Sequence, residues 1–168
     1  MNSNLDKTYY ATFYIGKTTP SFDRETEYDD IYPIDHINQN LIIEALNDFQ
    51  GEIKQKPPIY SALKIKGKRL YEIARKGGLA EIKNRSIKIF EFKLINNNLP
   101  ELDFKIKCSK GTYIRSIAND FGKSLNSGAH LSKLSRTKIG DYNISQSIKI
   151  EDFKDFYLST SDDSFKIT

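Results

Sequence analysis

Lys107-Cys108-Ser109-Lys110-Gly111-Thr112-Tyr113-Ile114-Arg115-Ser116-Ile117 reads as an apolar strand, a basic glycine turn and a helix with an arginine in its first turn. A glycine between lysine and threonine lets backbone N–H groups and a helix N-terminus face an anion. Arg115 adds a fixed cation able to orient a carboxylate bidentately. A second run, Gln55 to Arg75, interleaves Lys56, Lys64, Lys66, Lys68, Arg69 and Arg75 with Tyr60 and Tyr71. There, cations meet phosphates while aromatic faces meet bases. Between Lys54 and Lys93 stand twelve Lys and Arg against three Glu, an excess of nine positive charges in a chain whose net charge is +4. Concentrated charge suits a phosphate backbone, because binding gains from counterion release. A solvated lysine face is the plainer alternative.

These residues need elements to hold them. Thr8–Ile15 is aromatic and β-branched and predicts a strand closed by Gly16, followed by a polar loop from Thr18 to Tyr32. Leu41, Ile42, Ala45, Leu46 and Phe49 recur at helical spacing before Gly51. Pro57-Pro58 ends any helix, and Tyr60 to Gly67 predicts an exposed extended arm. A short helix over Leu70–Ala74 then stops at Gly77-Gly78. Ser86–Leu94 predicts a strand and Asn96-Asn97-Asn98 a turn. Leu102, Phe104, Ile106 and Cys108 alternate with Asp103, Lys105 and Lys107, which is period two with one wet face. Ile114, Ile117, Ala118, Phe121 and Leu125 form a helical stripe, with Asn119, Asp120 and Lys123 outside it. Ala129–Ile139 predicts a strand and Glu151–Tyr157 a last helix. The whole is expected to be one α+β domain on a mixed, largely antiparallel sheet.

The 168 residues allow one domain with a sizeable core. No apolar run approaches the roughly 20 residues that cross a bilayer, so a soluble, cytoplasmic protein without a membrane partner is expected. A single cysteine excludes an internal disulfide, and two histidines far from it argue against a metal site. Cys108 is expected to be a small buried residue ending a strand. Neither His36 nor His130 is assigned acid–base chemistry.

Four ordered motifs resemble those of the TruB-type tRNA pseudouridine synthases: Lys7–Ala11 (K-x-Y-x-A), Pro57–Arg75 (P-P-x-Y-S-A-L-K-x-x-G-K-x-L-Y-E-x-A-R), Cys108–Arg115 (C-S-K-G-T-Y-I-R) and Gly128–Arg136 (G-A-H-x-x-x-L-x-R). The resemblance runs from about Leu5 to about Phe153. It implies a pseudouridine synthase catalytic domain over residues 1–157, with a basic RNA-binding thumb at about 54–78 and a polar tail at 158–168. It further implies isomerisation of a T-loop uridine of tRNA to pseudouridine, with the base flipped out of its stack and neither cofactor nor metal used. By the same resemblance Tyr9 packs on the target uracil, Arg115 pairs with the catalytic aspartate, Leu134 lines the uracil pocket and Asp23 is a polar neighbour in the site. The implied RNA contacts are Tyr60, Lys64, Lys68, Arg69, Tyr71, Arg75, Lys110, His130 and Arg136, and the implied partner is the T-arm stem-loop of tRNA.

One departure stands out. The family's catalytic aspartate lies in a G-x-L-D-P-x-A-x-G-x-L motif upstream of K-x-Y-x-A, where this sequence has only Met1-Asn2-Ser3-Asn4-Leu5-Asp6. Asp6 matches the acidic residue that leads into K-x-Y-x-A rather than the nucleophile. The resemblance therefore implies an N-terminally truncated chain lacking strands and the catalytic aspartate, with Arg115 left unpaired and stability marginal. Two functions follow as expectations: a synthase completed by an N-terminal fragment in trans, or an RNA-binding remnant that grips the T-arm without catalysis.

Overall fold

The computed structural model describes residues 5–61, 64–65, 68–70 and 82–153, with 64–65 and 68–69 by backbone path alone. In chain order the elements are β1 (Lys7–Ile15), α1 (Gln39–Asp48), β2 (Gly51–Gln55), β3 (Lys64–Ile65), β4 (Lys68–Arg69), β5 (Arg85–Asn98), β6 (Glu101–Cys108), α2 (Ile114–Ser124), β7 (Ala129–Ile139) and β8 (Tyr142–Asn143). Six strands form one sheet in the order β2-β5-β6-β1-β7-β8, every neighbouring pair antiparallel. The expected α+β class is met. β3 and β4 pair with each other, Lys64 opposite Arg69, so the extended arm contains a hairpin.

Alternation fixes which sheet face is dry. Ala11, Phe13 and Ile15 of β1 and Leu102, Phe104, Ile106 and Cys108 of β6 are buried. Onto this face α1 lays Ile42, Ala45 and Leu46, and α2 lays Ile114, Ile117, Ala118 and Phe121. Phe13, Phe49, Phe92, Phe104 and Phe121 meet ring to ring, with centroids from 4.7 Å for Phe13–Phe104 to 6.1 Å for Phe13–Phe92. Such pairs each add about 0.5–1.5 kcal/mol beyond the area they bury. α2 comes close to β7 because residue 122 is glycine: a Cβ there would lie 2.3 Å from the Ala129 nitrogen.

Two local expectations are corrected. Asn96–Asn98 continue β5, paired with Asp103, Leu102 and Glu101, and the chain reverses at Leu99-Pro100 instead. A paired partner strand outweighs the local turn preference of asparagine. Asn119 lies inside α2's buried face, its amide donating to Asp120 at 2.9 Å. α1 begins two residues before its apolar stripe, because the Asn38 side chain accepts from the Leu41 N–H at 3.0 Å and caps the first turn. Of the last predicted helix, residues 150–153 are helical; residues 154–157, the tail, and residues 71–78 of the arm with its predicted short helix lie outside the described residues. No helix among the described residues is long and apolar enough to cross a membrane.

Candidate active site

Arg115 stands in the first turn of α2, its side chain 21% exposed. One terminal nitrogen, Nη1, donates to Asp23 Oδ2 at 2.8 Å and reaches the Ser21 carbonyl at 3.5 Å. The other, Nη2, donates to the Tyr60 carbonyl at 2.9 Å. The expectation that Arg115 stands unpaired in this chain is thereby corrected. Its partner comes from a loop 92 residues earlier, which local sequence pattern cannot bring near.

That loop is ordered by hydrogen bonds rather than by apolar burial. Lys17 bridges to Ile31, the Gly16 N–H donates to the Gly128 carbonyl at 2.7 Å, and the Leu131 N–H donates to the Phe22 carbonyl at 2.9 Å. Phe22, with φ 63, takes a left-handed conformation that costs a bulky residue about 1–3 kcal/mol. It directly precedes Asp23 and is pinned by the strand beside it. The Asp23 carboxylate is held on both oxygens, since Oδ1 also accepts from the Ser21 hydroxyl at 2.7 Å and the Glu25 N–H at 2.9 Å. A carboxylate so fixed orients a guanidinium with little conformational freedom of its own.

Beside the pair lies an open cavity of about 460 Å³ lined by Asp23, Arg24, Glu25, Arg115 and the β7 residues Leu131–Leu134. β7 carries one more residue than β1 here: Thr12 opposes Lys133 and Phe13 opposes Leu131, leaving Ser132 without a partner. Such a bulge re-aims the side chains around it. Leu134 is half exposed at the cavity wall. Asp23, Arg115 and Leu134, each singled out from sequence, thus converge on one cavity.

Tyr9 does not line it. Tyr9 sits two residues along β1 from Ala11, opposite Arg136 as Ala11 is opposite Leu134. Burial pushes its phenol above the usual range, partly offset by a hydrogen bond from Arg136. Arg136 and Lys110 are exposed, Tyr60 is half-buried, and Lys64, Lys68 and Arg69 lie on the β3–β4 hairpin. Tyr71 and Arg75 fall outside the described residues. As a direct RNA contact His130 is corrected. It is 1% exposed, with Nδ1 donating to the Lys17 carbonyl at 2.9 Å and its ring stacked on Tyr14. Burial lowers its pKa below the ordinary 6.5.

Gly111 makes the expected turn at φ +83. The helix end it leads into is not bare, however. The Tyr113 N–H donates to Gln55 Oε1 at 2.8 Å, and Gln55 Nε2 returns a bond to the Tyr113 carbonyl at 3.0 Å. Gln55, Ser21 and Arg24 were missed from sequence because nothing in their neighbours marks them. His36 was missed as well: its Nε2 caps the far end of α2 at the Leu125 carbonyl, 2.8 Å away.

A family model described as "TruB family pseudouridylate synthase (N terminal domain)" matches residues 1–114, and one described as "tRNA pseudouridylate synthase B C-terminal domain" matches residues 115–166. The chain is 56% identical over 149 residues to tRNA pseudouridine synthase B of Flavobacterium johnsoniae, covering 89% of this chain and 65% of that protein. It is 49% identical over 150 residues to the protein of the same name from Phocaeicola vulgatus, covering 89% and 64%. The chain thus spans about 65% of the length of such relatives. Among solved structures, a Cbf5-Nop10-Gar1 complex aligns with TM-score 0.65 at 24% identity, over 98% of this chain and 40% of that one. An H/ACA RNP bound to a substrate RNA containing 2'-deoxyuridine aligns with TM-score 0.60 at 21% identity, over 96% and 37%. At these identities the likeness is one of fold.

Proposed function

Since this chain belongs to the TruB family of pseudouridylate synthases, we propose that it is the RNA-gripping, arginine-bearing part of a cytoplasmic synthase that converts a T-arm uridine of tRNA to pseudouridine. The observation that carries this reading is the Arg115–Asp23 pair beside Leu134, in an open cavity at the root of a basic arm. The cavity would take a flipped uracil against Leu134, and the arm's cations would hold the surrounding phosphates.

In this reading Asp23 is the orienting carboxylate and not the nucleophile. Its oxygens already accept three hydrogen bonds, which fill most of a carboxylate's roughly four lone-pair sites and would weaken as its charge was spent in attack on a ribose. The nucleophile is then an aspartate of a G-x-L-D-P-x-A segment that lies outside these 168 residues. Arg115 supports the assignment by its capacity: a guanidinium has five N–H donors, and three acceptors face it among the described residues.

Pseudouridine formation in a T-arm stem-loop RNA tests this. The purified chain is assayed alone and together with the segment of the Flavobacterium johnsoniae relative that carries the G-x-L-D-P-x-A motif. Product is expected only with both present, and Arg115→Ala should abolish it while leaving RNA affinity within about threefold. Product from the chain alone would make Asp23 or Asp6 the nucleophile and refute the assignment of that role to an outside aspartate. RNA binding without product in either case would leave the non-catalytic T-arm grip as the function.

A further inference from the structure

We propose that Gln55 is a positioning residue that ties the root of the basic arm to the helical turn carrying Arg115, so that RNA held by the arm is sensed at the Arg115–Asp23 pair. The inference rests on the RNA-binding part of the function proposed above.

Gln55 ends β2 and is 2% exposed. Its amide closes a two-bond ring on the backbone of Tyr113, donating at 3.0 Å and accepting at 2.8 Å. Tyr113 is the N-cap of α2 and makes no side-chain cap of its own, so the cap is delivered from another element. The planar amide of Gln presents a donor and an acceptor side by side on one carbon, which this ring requires. A buried amide left half-bonded would cost about 1–3 kcal/mol. If packing alone were needed at residue 55, an apolar side chain would serve without that risk.

The same seam continues along the arm's root. Ser116, 1% exposed, donates its hydroxyl to the Lys56 carbonyl at 2.8 Å, and Arg115 donates to the Tyr60 carbonyl at 2.9 Å. Residues 55–60 are therefore held to residues 113–116 by four hydrogen bonds, and the first arm strand starts at Lys64. Arg115 is the last link, because its other terminal nitrogen holds Asp23. A shift of the Tyr60 carbonyl is felt directly by the guanidinium and, through it, by the Asp23 loop. One polar group at the root is uncommitted: the Ser61 hydroxyl, on a residue 3% exposed, has no partner among the described residues.

Hydrogen exchange read by mass spectrometry on the full chain, with and without a T-arm stem-loop RNA, tests the link. In the wild type, RNA should slow exchange of residues 19–24 as well as of the arm. In Gln55→Leu, RNA should still bind within about threefold, while residues 19–24 no longer respond to it. Gln55→Glu, which keeps the acceptor for the Tyr113 N–H, should restore part of the response. A purely structural role for Gln55 would shift exchange of residues 19–24 equally with and without RNA, and that result overturns the proposal. So does a wild-type response confined to the arm. If β6 loses its protection in Gln55→Leu, the variant has unfolded and Ser116→Ala replaces it under the same criterion. No RNA binding by the wild type would instead overturn the functional reading itself, and the inference with it.

Discussion

The Arg115–Asp23 pair can be weighed by a double-mutant cycle. Its side chains are 21% and 17% exposed, and the Nη1–Oδ2 distance is 2.8 Å. A surface pair of this geometry contributes about 0–1 kcal/mol, whereas breaking a fully buried one costs about 3–5 kcal/mol. A pair four-fifths buried but bordering an open cavity should fall between, with a coupling energy of about 1.5–2.5 kcal/mol. The perturbations are Asp23→Asn, which keeps the shape and one acceptor oxygen at residue 23, and Arg115→Met, which keeps the length of the side chain. Loss of the Tyr60 contact appears on both Arg115 legs of the cycle and cancels. For a chain of this size each kcal/mol shifts Tm by about 2–4 °C, so Asp23→Asn alone should lower it by about 4–8 °C. Denaturant unfolding followed by circular dichroism supplies the four free energies. The coupling should survive 0.5 M salt, because a mostly buried pair is weakly screened. Additive single variants, or coupling lost in salt, would refute the claim that Asp23 is the structural partner of Arg115.

Three further outcomes are expected. Replacing Lys64, Lys68 and Arg75 together by Ala should weaken binding of a T-arm stem-loop and lower the slope of log affinity against log salt by about two to three, measured by fluorescence anisotropy between 50 and 200 mM salt; unchanged binding rejects the thumb assignment. Gly122→Ala, which in an ordinary helix gains about 1 kcal/mol, should instead destabilise by about 2 kcal/mol or more, because the new Cβ would meet Ala129 and Gly128 backbone at 2.3 and 2.5 Å; a gain in Tm contradicts the close α2–β7 approach. His130 has a folded pKa below 6.5, set by burial first and partly offset by its bond to the Lys17 carbonyl. The unfolded chain therefore takes up its proton first, and stability should be full above about pH 7 and fall as pH drops through 6.5, levelling at the folded value. His130→Asn should flatten that part of the unfolding profile, and an unchanged profile excludes His130 as its source.

Elements with a strong internal period were legible in the sequence. The alternation of β6 and the stripe of α2 follow from apolar side chains that must share one dry face, and both elements stand where that pattern puts them. Contacts made across distance were not legible. Asn96–Asn98 have local turn chemistry, yet β6 lies alongside to pair with them, and the ladder decides. Asp23 and Arg115 could be named singly from motifs, but their meeting depends on Phe22 at positive φ and on a β7 bulge at Ser132. Neither leaves a compositional trace. Gln55 was harder still, since a glutamine before two prolines looks like any solvated residue until its amide is seen closed on Tyr113.

The holding of Asp23 bears on which carboxylate could do chemistry. To attack a sugar carbon, an aspartate oxygen must present a free lone pair and then lose charge. Asp23 Oδ2 spends its approach on Arg115, and Oδ1 accepts from Ser21 and Glu25. Hydrogen bonds to a charged group are worth about 1.5–3 kcal/mol each, so losing the strength of one as the charge is spent would slow the reaction by about ten- to a hundredfold. An incoming aspartate that met only the remaining donors of Arg115 would have fewer such bonds to weaken. The two cases separate by a substitution that leaves Arg115 untouched. Ser21→Ala frees one lone pair of Asp23 Oδ1, so turnover by the chain alone should rise if Asp23 is the nucleophile. It should stay at background if the nucleophile comes from a partner, and in the reconstituted assay the same variant should then lose activity as Asp23 loosens its hold on Arg115.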